Sequence, residues 1–404
     1  MAIATREPVS ISTSGSLFRT VQGGRGPRRP RIALFTETFL PRVDGIVNTL
    51  CWTLQGLVSA GWEPVVIAPH GNTQSVYGVP IIGANSTPCP IYPELRLGMI
   101  GPGVCQQLDA FQPDIIHLVG PAMVGLGGLI YAQSRQIPAI ASYHTNLPQY
   151  AHYYSLGWLE GSVWAALKAI HNRCAMTLCP SQAVLRQLQR QGFERLQHWA
   201  RGVDSALFAP TRRSDEWRQR LGAQPGTTLL LFVGRLAPEK RVQELELLLR
   251  AMPNVALAVV GDGPARTDLE RSFADLPVTF TGYLKGADLA SAYASADVFV
   301  FPSDSEAFGN VVLEAMASGL PVVAAAAGGV LDLIKPMSTG LIYEPGNIVE
   351  LTHHVSRYVA NEPLRNRHGA AGRATAETYT WDRQLGTLLD YYSQTIASAQ
   401  RLAA

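Results

Sequence analysis

The stretch from Ser305 to Ala315 reads SEAFGNVVLEA and holds two glutamates, Glu306 and Glu314, with seven residues between them. It follows the apolar run Val298–Phe301 and opens a helical pattern that stops at Gly319. This pattern predicts a strand, a loop and a helix, in that order. Glu306 then lies at the carboxyl end of the strand, where open parallel sheets bind their ligands, and Glu314 lies in the first turns of the helix.

The loop between the two glutamates suits a phosphate group. Backbone amides around Phe308, Gly309, Asn310 and Val311 would open the helix, and a helix N-terminus attracts anions. A carboxylate such as that of Glu306 accepts hydrogen bonds from sugar hydroxyls. Together these groups predict a nucleotide-sugar site. The alternative, two surface glutamates beside a buried helix, does not account for the residues between them.

Apolar runs of strand length alternate with helical patterns along most of the chain, which predicts an α/β protein with parallel sheets and crossover helices. In the first half the predicted strands are Ile32–Phe35, Glu63–Ala68, Ile81–Ile82, Ile115–Val119, Ala139–Ser142 and Thr177–Cys179. In the second half they are Thr228–Val233, Ala256–Val260, Val278–Thr281, Val298–Phe301 and Pro321–Ala324. The predicted helices include Asn48–Ala60, Gly103–Phe111 and Asp288–Ala294.

One segment interrupts this alternation of strands and helices and divides the chain into two domains. Residues 205–226 contain Pro210, a charged run and Pro225, and we interpret them as a linker. The N-terminal domain then covers residues 31–204 and the C-terminal domain residues 227–380, followed by an amphipathic helix over residues 381–404. Residues 1–30 are rich in Ser, Thr, Gly and Arg, and we expect them to form a disordered tail.

Composition excludes several classes of protein. The 404 residues are 47% hydrophobic and 16% charged, enough for two folded cores. The 33 basic and 31 acidic side chains leave a net charge of +2, which argues against a dedicated nucleic-acid binder. The five cysteines form no C-x-x-C pair, and their odd number favours reduced thiols in a cytoplasmic protein. No apolar run reaches the roughly 20 residues that span a bilayer.

Neither half carries a dinucleotide-binding fingerprint after its first strand. The first turn reads FTETFLP from Phe35 to Pro41, and its counterpart in the second half reads VGRLAP from Val233 to Pro238. A dehydrogenase of this architecture would carry G-x-G-x-x-G at this place. The sequence therefore favours a transferase over a dehydrogenase.

Two cations, Arg235 and Lys240, follow the first strand of the second half. They suit a diphosphate, because Arg grips phosphate through two N–H groups and Lys adds a compact charge. The alternative is a solvated loop in which Glu239 pairs with Lys240. The next strand is followed by Gly261-Asp262-Gly263, whose glycines permit close approach to a ligand. Asp262 is explained equally well as a cap of the following helix.

The first half contributes three candidates. Gly45 would let a helix N-terminus approach the diphosphate closely, and Asp44 before it also suits an ordinary N-cap. His144 follows the strand Ala139–Ser142 on the ligand side of the sheet, although a lone histidine is more often structural. Arg201 closes the first domain and is a candidate to bind phosphate or the acceptor.

The motifs together resemble the retaining glycosyltransferases of family 4, over about residues 31–395, and look closest to the cyanobacterial and plastid sulfolipid synthases. The supporting stretches are Glu37–Val47, Pro90–Leu95, Ala141–Thr145 with Leu147-Pro148, and Trp199–Asp204. The resemblance implies the GT-B fold, in which two Rossmann-like domains face each other across a cleft and the final helix crosses back to the first domain. Two departures concern the donor sugar: Phe308 replaces a leucine, and Ala326 replaces an arginine.

This resemblance also implies a reaction. A sugar, sulfoquinovose or else mannose or glucose, passes from a nucleotide-sugar to diacylglycerol or another acceptor with retention of configuration, and neither a metal nor another cofactor is expected. Arg235 and Lys240 would stabilise the departing diphosphate, Glu306 would contact the sugar, Glu314 would hold the ribose, and His144 would lie near sugar and acceptor. A nucleotide-sugar-binding protein without turnover is the alternative of a different class, and the full set of residues weighs against it.

The segment from Leu147 to Arg173 combines aromatic side chains with cations, which suits a membrane interface. A basic stretch with Arg186, Arg190 and Arg195 follows. We therefore expect a cytoplasmic protein that attaches peripherally to a membrane. The alternative, aromatic side chains packed in the core of the first domain, fits the pattern equally well.

Overall fold

The computed structural model describes residues 28–41, 44–69, 74–88, 96–120, 122–144, 158 and 160–403. Within them the chain forms two separate sheets. Most of the predicted tail lies outside the described residues, and so do Pro90–Leu95 and Leu147-Pro148.

The first sheet has nine strands among the described residues, in the order β3-β4-β2-β1-β6-β7-β8-β9, with β5 beside β4. They are β1 (Arg31–Phe35), β2 (Glu63–Pro69), β3 (Ser75–Val76), β4 (Val79–Pro88), β5 (Arg96–Met99), β6 (Ile115–Leu118), β7 (Ala139–Ser142), β8 (Met176–Cys179) and β9 (Leu196–His198). All pairs are parallel except β3 with β4 and β4 with β5. The helices are α1 (Gly45–Ser59), α2 (Pro102–Phe111), α3 (Met123–Ser134), α4 (Glu160–His171) and α5 (Gln182–Arg190).

The second sheet has six parallel strands in the order β12-β11-β10-β13-β14-β15. They are β10 (Thr228–Val233), β11 (Val255–Val260), β12 (Val278–Gly282), β13 (Val298–Phe301), β14 (Val322–Ala325) and β15 (Gly340–Tyr343). The remaining helices are α6 (Asp215–Arg220), α7 (Glu244–Ala251), α8 (Arg266–Ser272), α9 (Gly286–Ser295), α10 (Asn310–Ala317), α11 (Val330–Leu333), α12 (Ile348–Ala360), α13 (Glu362–Ala376) and α14 (Trp381–Ala403).

Both sheets are doubly wound. In the first, β1 is flanked by β2 and β6, and in the second β10 is flanked by β11 and β13, so the strand order reverses once in each. A crevice opens at the carboxyl ends of the two strands on either side of this reversal, and open α/β sheets bind ligands there. The predicted α/β class with two Rossmann-like sheets is confirmed.

The central strands are buried on both faces because helices cover both sides of a parallel sheet. β10 and β13 consist almost entirely of apolar residues, and Phe232, Phe299 and Phe301 have no more than 1% of their surface exposed. Phe301 stacks on Phe232 and Phe299 at centroid distances of 6.1 and 5.8 Å. This aromatic layer fixes the strand ends from which the candidate site projects.

The segment 205–226, which we interpreted as a linker, packs on the second sheet. It contains a 3-10 turn, Pro210–Arg212, and helix α6. Leu221 is fully buried in the second core. Asp297, just before β13, accepts hydrogen bonds from Arg213 and Arg218 at 2.6 and 2.9 Å and from the Leu229 amide at 2.9 Å. The segment is therefore structurally part of the C-terminal half.

The last helix, α14, lies on the first sheet. Trp381 stacks on Trp52 of α1 with ring centroids 5.5 Å apart, and Leu388 and Tyr392 are buried in the first core. The two connections between the halves run side by side, since the Val203 amide donates to the Tyr379 carbonyl at 2.8 Å.

The described part of the aromatic and basic segment is divided between core and surface. In α4, Leu167 and His171 are buried, and Trp164 packs edge-on against Phe193 at 6.1 Å. Trp158, by contrast, is 79% exposed. For α4 the core-packing alternative therefore holds. Among the helices of the described residues, none combines the length and apolar character that a bilayer crossing requires.

We predict that Asp297→Ala destabilises the second domain. Its carboxylate is 9% exposed and holds α6 on the sheet, so its loss leaves Arg218 without its partner and should lower the free energy of unfolding by about 2 kcal/mol. Urea unfolding measures this change. The matched control is Asp275→Ala, which removes an exposed carboxylate paired with Arg250 and should cost under about 1 kcal/mol. Equal losses in the two variants would contradict the prediction.

Candidate active site

The loops after β10 and β13 meet at the crevice of the second sheet. Lys240 ends the 3-10 turn Pro238–Lys240 and forms an ion pair with Glu306. Its Nζ also lies 3.4 Å from Ser303 Oγ, which donates to Glu306 Oε1 at 3.1 Å. These side chains come together because β10 and β13 are neighbouring strands. The predicted cation and the predicted sugar-binding carboxylate therefore form one group.

The loop that carries Arg235 and Lys240 is not solvated. Glu239, between them, has only 1% of its surface exposed, and both cations are partly buried. The alternative of a solvated Glu239–Lys240 pair therefore does not fit. The loop is instead held as part of the crevice wall.

The predicted glycine turn lies directly against this loop. The Leu236 amide donates to the Asp262 carbonyl at 3.0 Å, and a Cβ atom at Gly261 or Gly263 would overlap the carbonyl oxygens of Gly234 or Leu236. Gly261 also has a φ of +139°, which only glycine adopts readily. The two glycines therefore bring this turn to the base of the Arg235 loop.

Asp262 does not cap the following helix, whose N-cap is Ala265. Its Oδ1 accepts from the Gly263 amide at 2.8 Å, and its Oδ2 pairs with Arg266 Nη1 at 3.1 Å. This geometry explains Asp262 as a residue that orders its own turn and holds α8. Its predicted donor contact stays a prediction.

A second pair of glycines, Gly328 and Gly329, packs against the backbone of the Glu306 loop. The Gly329 amide donates to the Glu306 carbonyl at 2.9 Å. Gly328 has a φ of +52°, and a Cβ atom there would overlap that same carbonyl oxygen. Phe308 is buried and packs on Tyr379 at 6.2 Å. These contacts hold the backbone of the loop rigidly while the Glu306 side chain faces Lys240.

Helix α10 begins at the end of this loop. Gly309 is its N-cap with a φ of +98°, and Asn310 and Val311 form the first turn. The first amides of a helix lack intrahelical partners and carry a partial positive charge. The helix therefore begins in the loop after Glu306, where the sequence predicted it, and anion binding at this helix start stays a prediction.

The start of α1 meets the start of α10 across the cleft. A Cβ atom on Gly45 would lie 3.0 Å from Asn310 Nδ2, so the absence of a side chain permits this approach. Asp44 caps α1 by accepting from the Ile46 and Val47 amides at 2.9 Å each, which confirms the N-cap reading of Asp44. Two positive helix ends therefore face one another, an arrangement that favours an anion between them.

Glu314 faces Tyr293 of α9 from the second turn of α10. The Tyr293 hydroxyl donates to Glu314 Oε2 at 3.0 Å, and Tyr293 itself is fully buried. Burial raises the pKa of Glu314 to about 7, against the lowering effect of this hydrogen bond. Because Glu314 is only partly ionised at neutral pH, hydrogen bonds from hydroxyl groups stabilise it without a neighbouring cation.

His144 and Arg201 form a pair in the first domain. Arg201 Nη2 donates to His144 Nδ1 at 2.9 Å, so the ring proton of the neutral imidazole lies on Nε2. Burial and the Arg201 charge hold the pKa of His144 well below its usual value. Among the described residues, His144 Nε2 is buried without a hydrogen-bond partner. His144 therefore carries an Nε2–H group that a bound ligand could accept a hydrogen bond from.

Arg201 is buried although no described carboxylate pairs with it. Its guanidinium lies 4.4 Å above the Trp199 ring and donates to the Trp199 carbonyl at 3.1 Å. Burial lowers its pKa to about 9, so it keeps its charge at neutral pH. An uncompensated buried cation favours an anionic ligand.

Several side chains at the site were not predicted. His117 bonds Ser142 and Tyr392 at 2.7 Å each and lies in the first core below His144. Glu37 follows β1 and accepts from the Val124 and Gly125 amides at 2.7 and 3.1 Å, at the start of α3. Burial raises the pKa of Glu37 to about 7.

The first domain touches the Glu306 loop through Ala307. That side chain packs on the small core that contains Tyr143, the neighbour of His144. The structure therefore brings the Glu306 loop, Gly45 and the His144 region to one interdomain face. No cluster of three or more metal-binding side chains occurs among the described residues, and the metal-free site stays a prediction.

Comparison with known proteins agrees with this geometry. The family described as "Glycosyltransferase Family 4" matches residues 43–207, and that described as "Glycosyl transferases group 1" matches residues 213–375. The chain is 38% identical to the sulfoquinovosyl transferase of Arabidopsis thaliana, over 87% of this chain and 71% of that protein. It is 36% identical to a GDP-mannose-dependent alpha-mannosyltransferase of Mycolicibacterium smegmatis, over 93% and 100%. It is 29% identical to the alpha-monoglucosyldiacylglycerol synthase of Streptococcus pneumoniae, over 78% and 75%.

Solved structures show the same fold. The sucrose-phosphate synthase from Thermosynechococcus elongatus superposes with a TM-score of 0.77 at 21% identity, covering 92% of this chain and 100% of that one. The Anabaena HepE protein in complex with UDP-glucose gives a TM-score of 0.74 at 21% identity, covering 90% and 99%. These likenesses establish two Rossmann-like domains facing across a cleft, the GT-B fold.

We predict that Glu314 makes unfolding pH-dependent. Its folded pKa of about 7 lies above its ordinary value of 4.5, so its contribution to stability is complete below 4.5 and is lost as the pH rises through 7. Replacement by glutamine should remove up to about 3 kcal/mol of this decline. Urea unfolding of the ligand-free protein over this pH range measures it.

The matched control for this prediction is Glu362→Gln, which changes an exposed glutamate in α13. That variant should keep the wild-type pH profile. Glu37 contributes in the same direction, so the Glu314→Gln profile should flatten only in part. A slope unchanged in Glu314→Gln would show that this carboxyl group already ionises at its ordinary pKa.

Proposed function

This chain belongs to glycosyltransferase family 4 and is a hexosyltransferase that uses a nucleotide-sugar, and from that premise we propose that it transfers sulfoquinovose from UDP-sulfoquinovose to diacylglycerol. The observation that carries the nucleotide-sugar site is the approach of Gly45 to Asn310, four positions after the Glu306 that pairs with Lys240. The sulfoquinovosyl transferase and the monoglucosyldiacylglycerol synthase among its relatives support the donor and the lipid acceptor, respectively.

The proposed donor lies with its diphosphate between the starts of α1 and α10. Arg235 and Lys240 hold the diphosphate, Lys240 exchanging its carboxylate partner for a phosphate oxygen. Glu306 then becomes available to the sugar hydroxyls, and Glu314 accepts from the ribose hydroxyls. Fixed charges and amides aimed at the departing diphosphate are the main source of rate acceleration in such a site.

The proposed transfer breaks the bond between the sugar C1 and the diphosphate oxygen and forms a bond from C1 to the acceptor oxygen on the same face. No protein nucleophile takes part. His144 carries its proton on Nε2 and is neutral, so it donates a hydrogen bond and does not act as a base. The acceptor proton therefore passes to the departing diphosphate.

The second candidate is a mannosyl- or glucosyltransferase of the same family. It is favoured by Phe308 and Ala326, which depart from the sulfolipid pattern, and by the mannosyltransferase relative that aligns over its whole length. A donor panel separates the two: UDP-sulfoquinovose, UDP-glucose, UDP-galactose and GDP-mannose, each with diacylglycerol in detergent, and products identified by mass spectrometry. We expect a product with UDP-sulfoquinovose; a neutral hexosyl product alone would establish the second candidate.

We predict that Lys240→Ala lowers kcat at least about a hundredfold without unfolding the protein, because preorganised charges on a leaving group are typically worth that much. Steady-state rates with the preferred donor measure it, and circular dichroism checks the fold. The matched control is Lys285→Ala, which removes an exposed lysine before α9 and should leave the rate unchanged. Near-normal turnover of Lys240→Ala would refute the phosphate assignment.

A further inference from the structure

The outer side of α3 is apolar where a surface helix is ordinarily polar. Met123, Leu126 and Ile130 recur at helical spacing, and all three are exposed, Ile130 by 60%. Strand β5 packs beside this helix, since a Cβ atom on Gly98 would lie 2.6 Å from Val124 Cγ2. Exposed apolar side chains that adjoin one another mark an interaction surface. We refer to these three side chains as the α3 face.

Helix α3, and with it the α3 face, runs from the carboxyl ends of the strands in the first sheet to their amino ends. The first turn of α3 lies at the carboxyl ends, at the cleft, because the Val124 and Gly125 amides donate to Glu37, just after β1. Its last turn, with Gln133, lies beside Ala139 and Met176, at the start of β7 and β8. A partner that covers the α3 face therefore reaches the mouth of the cleft.

A pocket of about 530 Å³ continues the α3 face at that far edge. Its apolar lining includes Leu129 of α3 and the strongly exposed Leu402 of α14, and its cations are Arg173 and Arg195. Arg195 pairs with Glu194, whereas Arg173 has no carboxylate partner among the described residues and donates to the Ala169 carbonyl at 2.7 Å. The pocket thus combines apolar walls with net positive charge.

The surrounding chain has the same sign of charge. Residues 160–195 carry five basic and two acidic side chains, a net of +3. A basic surface of this kind would repel a second copy of itself. An anionic lipid surface, in contrast, offers apolar chains to the α3 face and phosphates to the arginines.

We propose that the α3 face and its basic pocket dock the protein on a membrane that contains anionic lipid, with a lipid phosphate at Arg173. The inference rests on the proposed lipid-acceptor function and names the surface through which the acceptor arrives. Docking of Met123 at the bilayer places the cleft mouth next to the lipid headgroups. An acceptor hydroxyl then enters the cleft while its acyl chains stay in the membrane.

The test is sedimentation of the full chain with vesicles of phosphatidylcholine, with and without phosphatidylglycerol. The wild type should sediment strongly only with phosphatidylglycerol. Leu126→Glu combined with Ile130→Glu should abolish sedimentation, and Arg173→Glu should weaken it at least about fivefold, since each basic side chain near an anionic surface contributes about that factor. The control is Leu247→Glu, which places the same charge on an exposed leucine of the second domain and should sediment like the wild type.

Thermal unfolding and transfer to diacylglycerol in detergent check that each variant is folded and competent, and Ile130→Ser serves as a milder second variant. Two results would overturn the docking surface. One is a wild-type protein that sediments with neither kind of vesicle while remaining active in detergent. The other is a set of variants that sediment like the wild type. Dissociation of a wild-type dimer by the same variants would assign the α3 face to a second copy of this chain. Sedimentation without a product from any donor would leave the surface standing and overturn the proposed function.

Discussion

The reversal of strand order in each sheet is the constraint on which the candidate site depends. Loops that leave β10 and β13 are forced apart by helices on opposite faces, yet their first residues stay one strand spacing apart. That spacing lets Lys240 reach Glu306, 66 positions away. An ion pair built in this way needs no loop of unusual length, because the sheet itself sets the separation.

Close backbone contacts hold the loops that line this crevice in fixed positions. The glycines at positions 261, 263 and 328 each lie where a Cβ atom would overlap a carbonyl oxygen of the loop that carries Arg235 or Glu306. Substitution at any of them would push a functional loop out of place. The sequence interpretation assigned the glycines at 261 and 263 to ligand approach, whereas the structure explains them first as contacts between neighbouring loops.

The sequence predicted the fold best where burial is continuous. β10 and β13 were bounded correctly because parallel strands covered on both faces are apolar throughout. β9 was missed because it is a half-exposed edge strand with the polar sequence LQH, and β15 was missed because it begins with glycine, which is rare inside strands. The excursion through β3 and β5 has antiparallel pairing, which a search for parallel strands and helices does not detect.

At the site, the sequence likewise predicted residues with a clear local pattern and missed those that depend on tertiary contacts. Glu306 and Lys240 were identified from the loops they occupy, whereas their partner Ser303 and the Tyr293 partner of Glu314 depend on contacts between elements distant in sequence. Glu37 carried a local signal, as the first carboxylate after β1, but its bond to the start of α3 is visible only in three dimensions. A strand's carboxyl end therefore predicts which residues face the ligand, and tertiary packing decides what holds them.

The charges across the cleft have a consistent sign. Two carboxyl groups near the cleft, Glu37 and Glu314, have their pKa raised to about 7 by desolvation and so carry only part of a negative charge at neutral pH. Arg201 keeps its charge although it is buried, and the starts of α1 and α10 add partial positive charge. A protein interior disfavours such an excess of positive charge unless a ligand compensates for it. In the proposed complex the donor diphosphate supplies that compensation, and the negative charge on the diphosphate increases as the sugar leaves it.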